Sequence, residues 1–258
     1  MKSSTIAIAG NSGSGKTTLS KIIATEILKD GLILECDRYH KWERGHANWD
    51  TFTHLDPEAN YLDQMYQDVN DLFNNNTIYQ VDYDHKDGTF TPKNKIEPNK
   101  HLIVCGLHSF YHKNFDPYCL KIFMDTDKEL QVTWKMNRDK KKRGYTYSQI
   151  VEQIERRKED YSKFILPQRN EADVSIKFIR NRHNKMSYSL FITLSGRIDS
   201  EKISSDFSNL GIPVRTTILD NKSKLYFDNY QSINELNKYD NFYDYIIFLI
   251  KGILDGSY

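Results

Sequence analysis

Residues 10–17, GNSGSGKT, place glycines, a lysine and a hydroxyl at the spacing of a phosphate-binding loop. They fit the pattern G-x-x-x-x-G-K-[ST], with a strand-like apolar run before it and helical periodicity after it. Glycines let consecutive N–H groups turn toward a phosphate, the lysine neutralises its oxygens, and the threonine hydroxyl can bind Mg²⁺. The flanking elements disfavour a chance match. The residues predicted to bind a nucleoside triphosphate are Gly10, Asn11, Ser12, Gly13, Ser14, Gly15, Lys16, Thr17 and Thr18.

The loop alone does not distinguish GTPases, ATPases and small-molecule kinases, because all of them use it. A GTPase also needs a guanine-reading motif after a buried strand. NKYD at residues 237–240 matches such a motif by letters, but it follows the polar stretch 231–236. We interpret this match as chance, which disfavours a GTPase.

A carboxylate follows the second predicted strand. Asp37 lies at the carboxyl edge of that strand, where open α/β sheets bind ligands, and it could accept the proton of an attacking hydroxyl. A helix cap or a solvated loop residue is the alternative. His40 and Arg44 follow at offsets of three and seven, and the arginine would suit a phosphate or carboxylate on a second substrate.

A basic helix end forms a second cluster. Helical spacing puts Lys135, Arg138, Asp139 and Lys142 on one face, and Arg143 follows at the helix stop. The cluster is either a solvated charged face or a lid that neutralises a transferring phosphoryl group. The spacing by itself favours the solvated face.

Short apolar runs alternate with amphipathic helical segments over the first 180 residues, which predicts βα units around a parallel sheet. The predicted strands are 6–9, 32–36, 102–105, 120–124 and 172–179. The predicted helices follow the glycine loop and then cover 57–74, 127–142 and 147–164.

Two segments depart from this alternation. Residues 81–99 carry Asp87-Gly88 between strand-like flanks, which predicts a hairpin that contacts substrate. From about residue 181 strict apolar alternation and a closing helix predict a small α+β appendix. We therefore expect a nucleotide-binding core over 1–180 and a C-terminal extension over 181–258 that packs on it.

Composition excludes several classes of partner. Lys plus Arg number 36 and Asp plus Glu 35, so no global charge favours nucleic acid or an anionic membrane. The three cysteines lack the CxxC spacing of a zinc site and their odd number argues against a disulfide framework. The apolar run near the N-terminus is too short for a signal peptide, and no apolar run reaches the length of a membrane span. A cytoplasmic protein is expected.

Seven blocks of sequence, in order, resemble the phosphoribulokinase and uridine kinase family of P-loop kinases over about residues 4–180. They are the glycine loop, DRYHKWER at 37–44, THLDPEAN at 53–60, DYDH at 82–85, LIVCGLH at 102–108, WKMNRDKKKRGYT at 134–146 and LPQRNEADV at 166–174. Within the family, the LDPEAN block, the YDH triplet, Lys135 and the Pro167-Gln168 pair are more similar to phosphoribulokinases.

The resemblance implies an α/β fold of the P-loop kinase type, a three-layer αβα arrangement around a mostly parallel sheet with a small α+β C-terminal extension. It implies ATP and Mg²⁺ as cofactors, with Asp37 as the catalytic base and with Thr17 at the metal. Lys16, Arg138 and Asp139 would join it in catalysis. The residues implied at the acceptor or the moving phosphoryl group are His40, Arg44, Tyr83, His85, Lys135, Arg138 and Arg143, the last also with the nucleotide.

The sequence departs from the family at two positions. Cys105 stands where the family has a Glu that supports Mg²⁺, and a thiol is a poor ligand for a hard cation. Another carboxylate such as Asp37, Asp139 or Asp125 could support the metal, the enzyme could be slow, or the protein could bind nucleotide without turnover. Ser14 stands where redox-controlled chloroplast enzymes have a cysteine, so no thiol switch is expected there.

The leading hypothesis is an ATP- and Mg²⁺-dependent kinase of a hydroxyl on a small sugar phosphate. A uridine or cytidine kinase is the alternative enzyme, and a catalytically weak nucleotide-binding pseudokinase is the alternative of another class. The resemblance also makes a homo-oligomer conceivable, whereas nucleic-acid and membrane partners are not expected.

Overall fold

One large β-sheet organises the computed structural model, which describes residues 4–112, 116–143, 146–181, 187–219, 221–232 and 241–258, with the side chains of 140–143, 228–232 and 241 excepted. The NKYD match at 237–240 lies outside these residues. The strands are β1 Ser4–Gly10, β2 Leu32–Glu35, β3 Ile78–Gln80, β4 Tyr83–Asp84, β5 Thr89–Phe90, β6 Asn94–Ile96, β7 His101–Cys105, β8 Leu120–Thr126, β9 Val174–Arg180, β10 Ser187–Ser195, β11 Val214–Leu219 and β12 Lys222–Ser232.

The helices are α1 Lys16–Ile22, α2 Leu62–Phe73, α3 Lys128–Arg143, α4 Tyr147–Arg156, α5 Lys158–Asp160, α6 Ser200–Asn209 and α7 Asn241–Leu254. Shorter turns extend or precede them. The π-helical turns are Ile23–Ile27 and Tyr161–Ile165, and the 3-10 turns are Cys36–Tyr39, Ala47–Asp50, Pro57–Ala59 and Leu166–Asn170.

Among the described residues, the sheet has eight strands in the order β11-β12-β10-β9-β8-β1-β7-β2. The five strands from β9 to β2 run parallel, and β10, β12 and β11 add to them in antiparallel pairs. Parallel strands must be joined by crossovers, and this places the loops after β1, β2 and β7 at one edge of the sheet. The predicted α/β architecture with a mostly parallel sheet is confirmed.

Alternate residues of each strand face opposite layers. On β1, Ile6 and Ile8 pack in a core with α1, α3, α6 and α7, whereas Ala7 and Ala9 face the segment around Ile165. A third cluster covers β2 and β7 with α2. Because β10 is buried only on every second residue, its apolar alternation in the sequence reflects a strand covered on one face.

Two predicted helices are interrupted. The prediction of one helix over 57–74 is wrong, since the backbone is extended at Asn60 and α2 begins only at Leu62. Asn60 bonds to the carbonyls of His54 and Asp56 and bridges to His40, which holds it out of helical geometry. The helix predicted over 147–164 does begin at Tyr147, behind a capping box, but it ends at Arg156 and continues as short turns.

The insertion before β7 contains two nested antiparallel pairs. β4 pairs with β5 around Gly88, as the Asp87-Gly88 signal predicts, and β3 pairs with β6 outside them. Cys36, predicted as the last residue of the second strand, instead begins a 3-10 turn. This turn directs Asp37 and His40 toward the hairpin.

The C-terminal extension, residues 181–258, continues the sheet. Its strands β10 and β12 and its helices α6 and α7 contribute to the same hydrophobic cluster as β1 and β8. The division into two units at residue 180 stays a prediction. Within the described ranges, none of the helices combines the length and apolar composition of a bilayer span.

A shared core predicts that a cavity made in the extension destabilises the N-terminal part as well. Leu190 on β10 is fully buried, so Leu190→Ala should lower the free energy of unfolding by about 2–5 kcal/mol. Trp134 contacts Tyr188 of the extension, so the titration uses a Trp134→Phe background, in which the fluorescence of Trp42 and Trp49 in urea reports on the N-terminal part.

The control is Ile218→Ala on β11, where the side chain is 65% exposed and a change within about 0.5 kcal/mol is expected. A fluorescence midpoint that Leu190→Ala leaves unchanged would show that the two parts unfold separately.

Candidate active site

The glycine loop between β1 and α1 has the backbone form of a phosphate cradle. Gly13 and Gly15 take positive φ angles of 82° and 93°, and Gly15 directly precedes α1. The Ser14 hydroxyl, fully buried, donates to the carbonyl of Asn11 at 2.8 Å. Nζ of Lys16 donates to the same carbonyl at 2.7 Å. Two side-chain donors thus close the loop on itself at the start of the helix, where N–H groups attract anions.

Neighbouring elements fix the position of this loop. A Cβ on Gly10 would lie 2.0 Å from the carbonyl oxygen of Met124 on β8. A Cβ on Gly13 would lie 2.7 Å from Cγ of Lys135, whose side chain on α3 is only 2% exposed. The loop is therefore packed between β8 and α3, and Lys135 is held against it.

Asp37 lies between two histidines. Nε2 of His40 is 3.5 Å from one carboxylate oxygen, and Nε2 of His85 is 3.3 Å from the other. His40 is buried, whereas His85 comes from the hairpin and is 41% exposed. The 3-10 turn after β2 and the hairpin therefore meet at this carboxylate, as expected for residues at one edge of a parallel sheet.

Asn60 sets the orientation of the His40 ring. Its Nδ1 lies 2.7 Å from Oδ1 of Asn60, and the Asn60 amide nitrogen donates to the carbonyls of His54 and Asp56. This network assigns the oxygen of Asn60 to His40, so that Nδ1 of His40 carries a proton. Nε2 is the ring nitrogen that faces Asp37.

A cavity of about 1460 Å³ joins the glycine loop to Asp37. The predicted site residues in its lining are Ser12, Gly13, Gly15, Lys16, Thr17, Thr18, Asp37, His40, Arg44, Tyr83, His85, Lys135 and Arg138. Gly10, Asn11, Ser14 and Asp139 are not in that lining. The described lining holds two carboxylates, Glu35 and Asp37, and eight cationic residues, which are Lys16, Lys21, Arg44, Lys86, Lys135, Arg138, Arg156 and Arg157.

Arg138 and Asp139 form a pair on α3. Nε and Nη2 of Arg138 donate to the two oxygens of Asp139 at 2.6 and 3.1 Å. Asp139 is almost fully buried, whereas Arg138 reaches the cavity. The carboxylate therefore orients the guanidinium, and its own role in catalysis stays a prediction. Arg143 ends α3, and its side chain lies outside the described residues.

Arg44 is engaged with the hairpin. Its Nη1 donates to the carbonyl of Lys86 at 2.9 Å and its Nη2 to that of His85 at 2.8 Å. Gly88 packs directly on its stem, where a Cβ would be 2.4 Å from Cβ of Arg44. Arg44 thus positions the turn that carries His85, and the predicted contact with a substrate phosphate stays a prediction.

Sequence reasoning missed Glu35. It is the register partner of Cys105 across the parallel pair β2 and β7, so both side chains lie on the same face of the sheet. Both residues line the cavity together with Lys21. Burial raises the pKa of Glu35. The sequence signal is a carboxylate two positions before Asp37, but this position was interpreted only as part of the second strand.

Two arginines were also missed, because they lie inside a segment interpreted only as a helix. Arg156, at the end of α4, donates to the carbonyls of Trp49 and Asp50, the latter at 2.7 Å. Nη2 of Arg157 lies 3.3 Å from Nδ1 of His54. Both line the cavity on the side of Asp37, and they add positive charge there.

The residues present fit Mg²⁺ held mainly by a nucleotide. Among the described residues, no group of three His, Cys, Asp or Glu side chains forms a metal site of its own. Mg²⁺ usually takes one or two carboxylates in addition to phosphate oxygens and water. Thr17, Asp37 and Glu35 offer such oxygens in the cavity. Burial raises the pKa of Cys105 to about 11, so its neutral thiol is a poor ligand.

His108, just after β7, is buried behind Asp37. Neither of its ring nitrogens has a hydrogen-bond partner among the described atoms. Burial, with a smaller contribution from the nearby His40, lowers the pKa of His108 to about 3. The imidazole is therefore neutral in the folded protein at any ordinary pH.

Comparison with known proteins agrees with this geometry. The model of the Phosphoribulokinase / Uridine kinase family matches residues 5–185. A phosphoribulokinase of a Synechocystis species is 34% identical over 179 residues, which cover 69% of this chain and 54% of that protein. A uridine kinase of Macrococcus caseolyticus is 31% identical over 186 residues, which cover 68% of this chain and 88% of that protein.

A solved structure has the same fold over nearly the whole chain. Phosphoribulokinase from Rhodobacter spheroides superposes with a TM-score of 0.71 at 18% identity and covers 98% of this chain and 96% of its own. The chain spans about half the length of the curated phosphoribulokinases that it matches.

The buried His108 predicts a pH dependence of stability. The unfolded chain binds a proton below about pH 6.5, whereas the folded protein excludes it down to about pH 3. The free energy of unfolding should therefore fall as the pH drops through this window, by about 1.4 kcal/mol per pH unit from this residue. In His108→Gln that component disappears, and urea titrations between pH 7 and 5 should show a shallower slope. The exposed His112→Gln is the control, and equal slopes for both variants would contradict the assignment.

Proposed function

Since the chain belongs to the phosphoribulokinase / uridine kinase family, we propose that it transfers the γ-phosphoryl group of ATP, with Mg²⁺, to a hydroxyl of a small sugar phosphate. The observation that carries this proposal is the single cavity that joins the glycine loop to Asp37. A phosphate donor and a hydroxyl acceptor could occupy its two ends at the same time. Phosphoryl transfer depends chiefly on such positioning and on charge neutralisation.

Each residue has a distinct task in this proposal. The N–H groups of the glycine loop and Lys16 hold the phosphates of ATP. Asp37 accepts the proton of the acceptor hydroxyl, and Nε2 of His40 and Nε2 of His85 lie beside its two oxygens. Arg138, oriented by Asp139, neutralises the charge that spreads over the phosphoryl oxygens during transfer.

The charge of the cavity supports a phosphorylated acceptor. Eight cationic residues face two carboxylates in the described lining, although the whole chain has a net charge of only +1. Arg156 and Arg157 contact Trp49 and His54, and the rings of both pack against His40 beside Asp37. A phosphate on the acceptor would bind there.

A uridine or cytidine kinase is the second candidate, supported by the similarity to the uridine kinase of Macrococcus caseolyticus. A nucleoside needs an open aromatic face for stacking. Tyr83, the residue predicted for that purpose, is buried among the rings of His40, His85 and Phe90. This packing favours the sugar phosphate over the nucleoside.

In this proposal, Glu35 replaces the metal-supporting carboxylate that the family has at the position of Cys105. It supplies a carboxylate from the strand beside Cys105, on the same face of the sheet and in the same cavity. Bound Mg²⁺ would neutralise phosphate charge, and Thr17, Asp37 and Glu35 would hold it. Nucleotide binding without turnover is the alternative that Cys105 motivates.

Removal of the base should lower turnover but leave the binding of nucleotide without Mg²⁺ intact. Asp37→Asn is expected to lower kcat by about 10²- to 10⁴-fold on the best acceptor of a panel of sugar phosphates, nucleosides and polyols. ATP consumption measures the rate, calorimetry measures nucleotide binding, and Lys16→Ala is the blank.

The exposed Asp63→Asn is the matched control. Wild-type turnover in Asp37→Asn would refute its role as the base. A wild type inert on every acceptor would instead favour the binding protein.

The role of Glu35 is tested without turnover. Electron paramagnetic resonance of Mn²⁺ bound with a non-hydrolysable ATP analogue should show an affinity about tenfold or more lower in Glu35→Gln. Glu26→Gln, on an exposed site of the same region, should bind as the wild type does. Adding Cys105→Glu to Glu35→Gln should restore the affinity. Unchanged Mn²⁺ binding in Glu35→Gln would exclude this residue from the metal site.

A further inference from the structure

The cavity is also lined by three aromatic residues that are not among the predicted site residues. They are Trp134 on α3, Tyr188 on β10 and Tyr243 on α7, here called the aromatic wall. Two of them follow residue 185, where the match to the family model ends. The wall is therefore built mostly by the C-terminal extension.

The wall is in contact with the glycine loop. A Cβ on Gly15 would lie 3.1 Å from Oη of Tyr243. The rings of Trp134 and Tyr188 are perpendicular with centroids 5.7 Å apart. Phe178, which is 1% exposed, touches all three rings from behind and holds them in place.

These rings are separate from the aromatic residues on the acceptor side. Trp49 and Tyr83 contact His40, at centroid distances of 6.1 and 5.4 Å, and so belong to the surroundings of Asp37. Among the described ring contacts, none joins that group to the aromatic wall. The cavity thus has an aromatic group at each end, with the glycine loop adjoining the second.

We propose that the aromatic wall binds the base of the nucleoside triphosphate, so that the C-terminal extension completes the nucleotide site. This proposal rests on the proposed function, in which the glycine loop binds the phosphates. The transferred phosphoryl group must face Asp37, and the base at the other end of the same nucleotide then lies toward Tyr243. The partly exposed rings of the wall are Trp134 and Tyr243, whereas Tyr188 is 1% exposed and supports Trp134. An aromatic face stacks on any base, because every base has a π-face.

The variant Tyr243→Ala distinguishes binding of the base from binding of the phosphates. Stacking on one ring predicts about a 5- to 150-fold weaker Kd for a non-hydrolysable ATP analogue. The Kd of inorganic tripolyphosphate, which has no base, should stay within about threefold. Both are measured by calorimetry with Mg²⁺. Tyr226→Ala, on the opposite face of the extension beside Phe191, is the matched control and should change neither Kd.

Two outcomes with Tyr243→Ala overturn the proposal. In one, Tyr243→Ala binds the analogue as the wild type does, so the base lies elsewhere. In the other, it weakens analogue and tripolyphosphate equally, so the ring only supports the loop. Tyr243→Phe keeps the ring and should bind the analogue like the wild type, and a loss as large as that of alanine would also overturn it.

A measurement on the wild type covers the case in which Tyr243→Ala does not fold. Saturation-transfer NMR with irradiation of the protein's aromatic protons should saturate the base protons of the analogue more strongly than its ribose protons, and the reverse order contradicts the proposal. Lys16→Ala is the reference for a protein that does not bind the phosphates. If the wild type binds neither the analogue nor tripolyphosphate and so behaves like Lys16→Ala, the proposed function fails as well.

Discussion

The parallel register of β2, β7 and β1 is the constraint on which the site depends. It brings the glycine loop, Asp37 and Cys105 to the same edge of the sheet, although they are far apart in the sequence. The register leaves little space. A Cβ on Gly106 would lie 2.3 Å from Cβ of Cys36, so the turns after β7 and β2 are in direct contact. A shift of one strand would separate the phosphate cradle from the carboxylate.

Electrostatics determines what this edge can hold. The chain is nearly neutral overall, yet its described cavity concentrates cationic side chains around two carboxylates. Some of these cationic side chains already form contacts within the protein. Arg44 binds carbonyl groups of the hairpin and Arg138 is paired with Asp139. The same contacts fix where the remaining donors of each guanidinium point, and preorganised donors are what phosphoryl transfer requires.

The glycine loop, the parallel strands and the position of Asp37 could be predicted from the sequence because each depends on local spacing. The break at Asn60 could not, since it comes from hydrogen bonds to residues that only the fold brings near. Glu35 was missed for a related reason. Its importance depends on which residue stands beside it on β7, and that is a matter of register. Trp134, Tyr188 and Tyr243 come from three distant elements, and no periodicity could join them.

Cys36 and Cys105 are buried in different hydrophobic clusters beside the site, and burial raises the pKa of both thiols. A thiol in that state reacts with an alkylating reagent only after the structure around it opens. Cys119 is the exposed one of the three. The native protein should thus be labelled rapidly at Cys119, while the rate at which the two buried thiols are modified measures how often the sheet opens at the edge that carries the site.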